Sequence, residues 1–153
     1  MVPTRELANQ VEDEFRSMTS GLGLYSSCFI GGTSINRDLH NLRRSSNVVI
    51  GTPGRLIDLA NRRALDFSRF KTLILDEFDR MLDMGFIHDV KRIVQGMHQR
   101  NHTMMFSATL NKSQQALIDE FLTDPLLVKV SSGDRPGDLI DQEIALPERH
   151  PHR

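Results

Sequence analysis

The chain has 153 residues, 39% hydrophobic and 25% charged, which suits one ordinary globular domain and is short for two. Its 19 Lys and Arg against 20 Asp and Glu give a net charge of -1, which excludes bulk positive charge as the means of holding nucleic acid but leaves room for a local basic patch. A single cysteine excludes an internal disulfide and a cysteine-rich zinc site, and no apolar run approaches the ~20 residues of a membrane span.

Apolar periodicity predicts helices and strands in alternation along residues 1–130. The first helix carries apolar residues at spacings of four, four and three, and later helices begin near residues 35, 53, 90 and 111. Thr52 followed by Pro53 predicts a hydroxyl-capped helix start, and Asn111 with Gln114 predicts a capping box. The predicted strands cover residues 24–30, 48–50, 73–75, 103–106 and 126–130. This alternation is typical of an α/β domain whose parallel sheet is covered by helices on both faces.

Ligands of such sheets bind beyond the carboxyl ends of the strands, and acidic residues stand at one of these ends. Asp76 and Glu77 directly follow an apolar strand, and Asp79 adds a third carboxylate. An aspartate there can hold Mg²⁺ through water beside nucleotide phosphates, and a neighbouring glutamate can orient or deprotonate the attacking water. The alternative is an ordinary helix N-terminus, where the dipole favours acids, and these residues alone do not decide between the two.

Small hydroxyl residues follow the strand predicted over 103–106. Ser107 and Thr109 can hydrogen-bond a neighbouring carboxylate such as Asp79, which would couple the ends of two strands. Taken alone, these residues favour the simpler interpretation of a strand-to-helix turn with an extra cap.

Glycines and hydroxyls mark two further strand ends. Gly31 and Gly32 follow one strand, and Thr52, Gly54 and Arg55 follow another. Glycine permits close approach of backbone to a ligand, N–H groups at a helix start attract phosphate, and arginine adds a charged donor to a phosphodiester oxygen. Turn chemistry alone also explains the glycines and is favoured when each motif is taken by itself.

Local charge supports the phosphate interpretation. Residues 37–63 hold six arginines against two acids, so this segment carries +4 and the remainder of the chain carries -5. The alternative is a solvated helix face. The arginines are Arg37, Arg43, Arg44, Arg55, Arg62 and Arg63, and the acids are Asp38 and Asp58.

Taken together and in order, the motifs resemble those of the first RecA-like domain of DEAD-box ATP-dependent RNA helicases, over roughly residues 2–130. The matching segments are Pro3-Thr4-Arg5-Glu6-Leu7-Ala8 (motif Ia), Gly31-Gly32, Thr52-Pro53-Gly54-Arg55 (motif Ib), Asp76-Glu77-Phe78-Asp79 (motif II) and Ser107-Ala108-Thr109 (motif III). The resemblance implies a RecA-like fold of the P-loop NTPase type over residues 1–130. It implies that residues 131–153 form a linker toward a second RecA-like domain and a disordered tail.

The resemblance also implies roles and partners. Asp76 would bind Mg²⁺ through water together with ATP, Glu77 would position the hydrolytic water, and Asp79 with Ser107 and Thr109 would link the ATP state to the grip on RNA and to domain closure. The RNA backbone would lie along Thr4, Arg5, Gly31, Gly32, Thr52, Gly54 and Arg55. Such contacts read phosphate and sugar, so little sequence specificity is expected. Such a helicase is expected inside the cell, in the cytoplasm or the nucleus, and not in a membrane.

Two departures from the family pattern bear on activity. Phe78 stands where the family usually has Ala, and no Gly-x-x-x-x-Gly-Lys-Ser/Thr loop occurs in the 153 residues. Because that loop cradles and neutralises phosphates, we expect a sheet that is incomplete at its N-terminus and no useful ATPase from this chain alone. The alternatives are a non-catalytic RNA-binding module or a protein-interaction module, including one that self-associates through an exposed sheet edge.

Overall fold

The computed structural model of the protein describes residues 1–130, apart from the side chain of Ser113. The helices in this part of the chain are α1 (Arg5–Met18), α2 (Ile35–Asn41), α3 (Pro53–Asn61), α4 (Phe78–Asp83), α5 (Ile87–Gly96) and α6 (Lys112–Phe121), with a short 3-10 helix at Phe67–Arg69. The strands are β1 (Ser26–Phe29), β2 (Val48–Gly51), β3 (Thr72–Leu75) and β4 (His102–Met105). None of the described helices is long and apolar enough to cross a membrane.

The strands form two parallel pairs. In the first pair Ser26 of β1 lies opposite Val48 of β2, and in the second Thr72 of β3 lies opposite His102 of β4. Two parallel strands need a crossover connection between them, and here helices form these connections. The predicted α/β class is therefore confirmed.

The first two residues of the chain connect the two pairs. The Val2 amide donates to the Gly51 carbonyl at the end of β2, at 3.1 Å. The Met1 carbonyl accepts from the Asp76 amide at 3.1 Å, and the Met1 amino group donates to the Ile74 carbonyl at 2.7 Å. The carboxyl ends of β2 and β3 are therefore held side by side.

An apolar groove separates β2 from β3 beyond this connection. It has a volume of about 250 Å³, and its walls include Val48 and Ile50 from β2 and Leu73 and Ile74 from β3. Within residues 1–130, β2 pairs only with β1 and β3 only with β4, so no strand of this part of the chain fills the groove.

Two groups of buried side chains hold the elements together. The larger one is centred on Phe29, Leu59, Leu75 and Phe78 and joins both strand pairs to α3, α4, α5 and α6. The smaller one packs Val2 and Ala8 against Ile30 and Ile50, which seats α1 on β1 and β2. These contacts fix the strand ends that carry the polar motifs.

Several details differ from the sequence predictions. The strand predicted over 24–30 is shorter, because residue 24 and residue 25 are exposed and only Ser26–Phe29 pairs with β2. The predicted side-chain cap at Thr52 is wrong: Thr52 is the N-cap of α3, with Pro53 following as predicted, but its hydroxyl makes no capping hydrogen bond. The capping box of Asn111 and Gln114 is confirmed.

The strand predicted over 126–130 is also wrong. The structure gives this segment no strand, and Leu126, Val128 and Val130 are exposed. A strand needs a neighbour that takes its N–H and C=O groups, and apolar sequence alone does not supply one. The chain divides into Met1–Thr123, which contains every helix and strand described above, and Asp124–Arg153. The predicted linker and tail at 131–153 lie outside the described residues.

Candidate functional site

The end of β3 places two carboxylates at the edge of the sheet. Asp76 follows β3 directly, and its Oδ1 accepts from the Glu77 amide at 2.9 Å. Glu77 has φ 51° and ψ 52°, a left-handed conformation that costs a residue other than glycine about 1–2 kcal/mol. Glu77 Oε2 lies 3.2 Å from a nitrogen of Arg80. A strained residue of this kind persists only where its surroundings hold it, and such residues concentrate at functional sites.

Asp79 connects the end of β3 to the end of β4. Its Oδ2 accepts from both the amide and the hydroxyl of Thr109, each at 3.0 Å. The Asp79 amide donates to Ser107 Oγ at 3.3 Å, and that hydroxyl donates to the Thr109 carbonyl at 2.8 Å. The predicted hydrogen bond between the Asp79 carboxylate and Thr109 is therefore present, across 30 positions of sequence, whereas Ser107 accepts from the backbone amide of Asp79.

The electrostatics of Asp79 favour its charged form. Partial burial raises the pKa of Asp79, but the hydrogen bonds that it accepts from Thr109 and from the Arg80 amide outweigh burial and bring its pKa below the ordinary value. A further hydrogen bond, from Nε2 of the Gln114 side chain to Thr109 Oγ1 at 3.3 Å, connects this contact to the first turn of α6. We refer to Asp76, Glu77, Asp79, Ser107 and Thr109 as the carboxylate–hydroxyl cluster.

Phe78, between Glu77 and Asp79, turns inward. Its side chain is 0% exposed and its ring meets that of Phe121 edge to face, with centroids 6.2 Å apart and an interplanar angle of 75°. The Phe78 amide donates to the Phe106 carbonyl at 2.9 Å, which adds a backbone link between the two strand ends. The bulky side chain therefore packs into the core and leaves the polar edge clear.

A second cluster lies at the carboxyl ends of β1 and β2. We call it the glycine–arginine cluster, and it consists of Thr4, Arg5, Gly31, Gly32, Thr52, Gly54 and Arg55. Thr4 caps α1 by accepting from the Leu7 amide at 3.3 Å. Gly32 has φ 78°, and a Cβ built there would lie 2.7 Å from a guanidinium nitrogen of Arg5. The exposed Arg5 side chain thus lies against the glycine turn, which no residue with a side chain could replace unchanged.

Arg55 contacts the same turn from the other side. One of its terminal nitrogens donates to the Thr33 carbonyl at 2.7 Å and the other to Asp38 Oδ2 at 2.9 Å. Both side chains are buried, with 9% of Arg55 and 4% of Asp38 exposed. Burial raises the pKa of Asp38, and the charge of Arg55 opposes this rise without cancelling it. Three segments that are distant in sequence therefore meet at one turn.

The family of the chain follows from comparison with known sequences. The sequence model of the DEAD/DEAH box helicase family matches residues 1–117. The chain belongs to this family. RNA helicase CrhR of Synechocystis sp. is 39% identical to it over 144 residues, which are 94% of this chain and 29% of that relative.

Solved structures of DEAD-box proteins have the same fold. A hypothetical ATP-dependent RNA helicase from Sulfolobus tokodaii superposes with a TM-score of 0.77 at 35% identity, covering 80% of this chain and 37% of that one. A DEAD box protein from Methanococcus jannaschii gives a TM-score of 0.75 at 38% identity, covering 80% of this chain and 34% of that one. The RecA-like fold of this DEAD-box chain is thereby confirmed, and the chain spans about a third of the length of these relatives.

Most of the predicted site residues belong to the DEAD-box motifs, and the structure brings them to the carboxyl-terminal edge of the strands. Asp79, Ser107 and Thr109 touch one another, and Arg5 and Arg55 flank the turn that contains Gly32. Among the described residues, no three or more His, Cys, Asp or Glu side chains are grouped so that they could hold a metal directly. The catalytic, Mg²⁺-binding and RNA-binding roles of individual residues stay predictions.

Sequence reasoning missed Asp38 as a member of the glycine–arginine cluster and counted it only as a charge. A signal for it was present, because Ile35, Asp38, Leu39 and Leu42 fall at i, i+3, i+4 and i+7. This spacing places the carboxylate on the apolar face of α2, where a charge must find a partner. The buried Asp38 and its ion pair with Arg55 agree with that pattern.

Proposed function

We propose that this chain is part of an ATP-dependent RNA helicase, in which ATP binding and hydrolysis are coupled to clamping and unwinding of RNA. The observation that carries the proposal is the contact of Asp79 with Thr109 and Ser107, directly beside Asp76 and Glu77. This contact gives the nucleotide-facing carboxylates a rigid connection to the next strand end. A conformational change at the end of one strand would then be transmitted to the end of the other. Coupling between nucleotide binding and RNA binding requires such a physical connection.

The chemistry of the carboxylate–hydroxyl cluster suits a nucleotide with Mg²⁺. Asp76 Oδ1 is used by the Glu77 amide, and Oδ2 makes no hydrogen bond to another described residue, so it is available to a water of the ion. Bound Mg²⁺ would neutralise charge on the phosphates. Glu77, held in position by its left-handed backbone, would orient the attacking water.

The glycine–arginine cluster suits the sugar-phosphate backbone of RNA. It combines an exposed guanidinium at Arg5, an exposed glycine turn at Gly32 and the exposed Gly54 at the start of α3. Close backbone approach and charge contribute contacts to phosphate and sugar, so binding would depend little on sequence. We further propose that the parent protein supplies a second RecA-like domain that closes on the nucleotide.

The RNA-binding half of the proposal is tested with this chain and a fluorescent single-stranded oligouridine, by anisotropy at several salt concentrations. We expect salt-dependent binding that Arg5→Gln weakens, with the salt slope smaller by about 0.7, the value for one phosphate contact on a single strand. The matched control is Arg16→Gln, which removes an exposed arginine of the same helix, α1, outside the cluster. Equal losses from both variants, or no binding at all, would contradict the proposal.

The ATPase half of the proposal concerns the chain by itself. Its 153 residues contain no Gly-x-x-x-x-Gly-Lys-Ser/Thr loop, so we expect no RNA-stimulated hydrolysis from this chain alone. Phosphate release is measured with and without oligouridine, beside Glu77→Gln as the background. Turnover that RNA stimulates and Glu77→Gln abolishes would refute the expected inactivity, and it would at the same time support the role of Glu77.

A further inference from the structure

Arg55 is already engaged inside the protein. Only 9% of its side chain is exposed, and each terminal nitrogen of the guanidinium donates to an internal acceptor, Asp38 or Thr33. Arginine binds phosphate by presenting that same fork of donors outward. The geometry of Arg55 therefore differs from that of Arg5, whose side chain is exposed.

Asp38 keeps Arg55 in this position. The carboxylate is buried on α2, and a buried charge is tolerated only where it is paired. Arg37 also contributes a favourable charge, but Arg55 makes the hydrogen bond to the carboxylate, at 2.9 Å. Loss of either partner leaves the other charge buried without compensation, so each fixes the other.

The turn at residues 31–33 is held from several directions. Arg55 donates a hydrogen bond to the Thr33 carbonyl, and the Thr33 hydroxyl donates to the Ile30 carbonyl at 2.8 Å. The Arg5 side chain fills the space beside Gly32. Gly32 adopts a left-handed backbone conformation, which costs glycine little. Glycine can adopt other backbone conformations as easily. The hydrogen bond from Arg55 to the Thr33 carbonyl is one of the contacts that hold the turn in its observed shape.

We propose that Asp38 is a positioning residue of the RNA-binding surface: it fixes Arg55, which braces the turn at residues 31–33 from within and does not itself bind phosphate. Arg5 is then the cluster's arginine that faces the RNA backbone. This inference rests on the proposed RNA-binding function. It assigns a role to Asp38, which lies outside every motif named above, and it changes the role of Arg55 from contact to support.

The test separates a brace from a phosphate contact by comparing two substitutions of Arg55. Lysine keeps the charge, so a phosphate contact would survive Arg55→Lys, but one ammonium group cannot replace a fork that reaches both Asp38 and Thr33. We expect Arg55→Lys and Arg55→Gln to weaken oligouridine binding alike, by about tenfold or more, as for one charge-assisted hydrogen bond. The salt slope stays at the wild-type value in both, because no phosphate contact is lost.

Asp38→Asn is expected to weaken binding to a similar degree, again without a change in salt slope. The double variant Asp38→Asn, Arg55→Gln should bind no worse than the weaker single variant, because both substitutions break the same link. The matched control is Asp58→Asn, which removes one partner of an exposed ion pair with Arg62 in the same arginine-rich segment and should leave binding unchanged.

Hydrogen exchange at the amides of residues 31–33 distinguishes a local effect on the turn from a loss of overall stability. Overall destabilisation would speed exchange throughout the protein and not only at these amides. We expect faster exchange there in Arg55→Lys while the amides of α5 stay protected. If Asp38→Asn does not fold, Arg55→Lys carries the test alone. Wild-type affinity in Arg55→Lys, or a salt slope smaller by about 0.7 in Arg55→Gln, overturns the inference and leaves the proposed function standing. Failure of the unaltered chain to bind oligouridine overturns the RNA-binding proposal itself, and the inference with it.

Discussion

Replacing Phe78 by alanine gives this chain the residue that DEAD-box motifs usually have at that position, and we expect it to destabilise the protein. The ring is fully buried in the larger core group and packs edge to face on Phe121. It also lies between Glu77 and Asp79, both members of the carboxylate–hydroxyl cluster. Removing the ring therefore affects the core and the site at once.

The size of the effect follows from burial. Truncating a buried phenylalanine to alanine costs about 3–5 kcal/mol, and the edge-to-face contact, worth about 0.5–1.5 kcal/mol, is included in that loss. A domain of this size has a free energy of unfolding of about 5–15 kcal/mol. Phe78→Ala would thus remove a large part of the stability and lower the melting temperature by roughly 10–20 °C.

The assay is urea unfolding followed by far-UV circular dichroism, with the slope against urea checked for constancy. Phe106→Ala is the matched control, because Phe106 stands at the neighbouring strand end with 54% of its surface exposed, and it should cost well under 1 kcal/mol. In a double-mutant cycle with Phe121→Ala the coupling should be about 0.5–1.5 kcal/mol. A loss of less than about 1 kcal/mol in the free energy of unfolding for Phe78→Ala would refute the assigned packing, because truncating a buried phenylalanine ring costs more than that.

Two further predictions concern single contacts. In the same urea assay, Gly51→Ala should lower the free energy of unfolding by about 1–3 kcal/mol, because a Cβ there would lie 2.7 Å from the Leu56 side chain. Gly54→Ala is the control: a Cβ there would meet open space, so the free energy of unfolding should change by less than about 0.5 kcal/mol. The lowered pKa of Asp79 means that the folded chain binds that proton less readily than the unfolded chain, so its contribution to stability is present above about pH 4 and is lost as pH falls through the folded pKa. In an NMR titration of the carboxyl carbon, Thr109→Val should raise the pKa of Asp79 toward its ordinary value, and an unchanged pKa would contradict the hydrogen bond.

Local sequence rules were enough for elements whose stabilising contacts lie close in sequence. The capping box of α6 was predictable because Asn111 and Gln114 stand three residues apart and satisfy each other's amides, both at 2.9 Å. The segment at 126–130 has an equally strong apolar pattern, and yet it forms no strand in the structure. Its state depends on a neighbouring strand, which no window of five residues reveals.

The carboxylate–hydroxyl cluster was predictable through a different rule. Asp79 and Thr109 are 30 residues apart, but both follow strands of a parallel sheet, whose carboxyl ends share one edge. The strained backbone of Glu77 was not predictable, because none of the residues 71–77 that lead into α4 is a glycine that would mark a left-handed position. Fold topology brings the side chains together, whereas the conformation of a single residue depends on the packing around it.

The arginine-rich segment shows where counting charges fails. Its total of +4 treats all six arginines alike, but Arg55 is buried against Asp38 and Arg62 is paired with Asp58 on the surface. A pair of opposite charges in contact contributes little to the field at a distance, so the positive potential of the segment arises from the other four. These four, all exposed and all outside the motifs, are Arg37, Arg43, Arg44 and Arg63. Under the proposed RNA binding, the four exposed arginines would supply the long-range attraction, whereas Arg55 would support the turn at residues 31–33, and burial is what distinguishes Arg55 from those four.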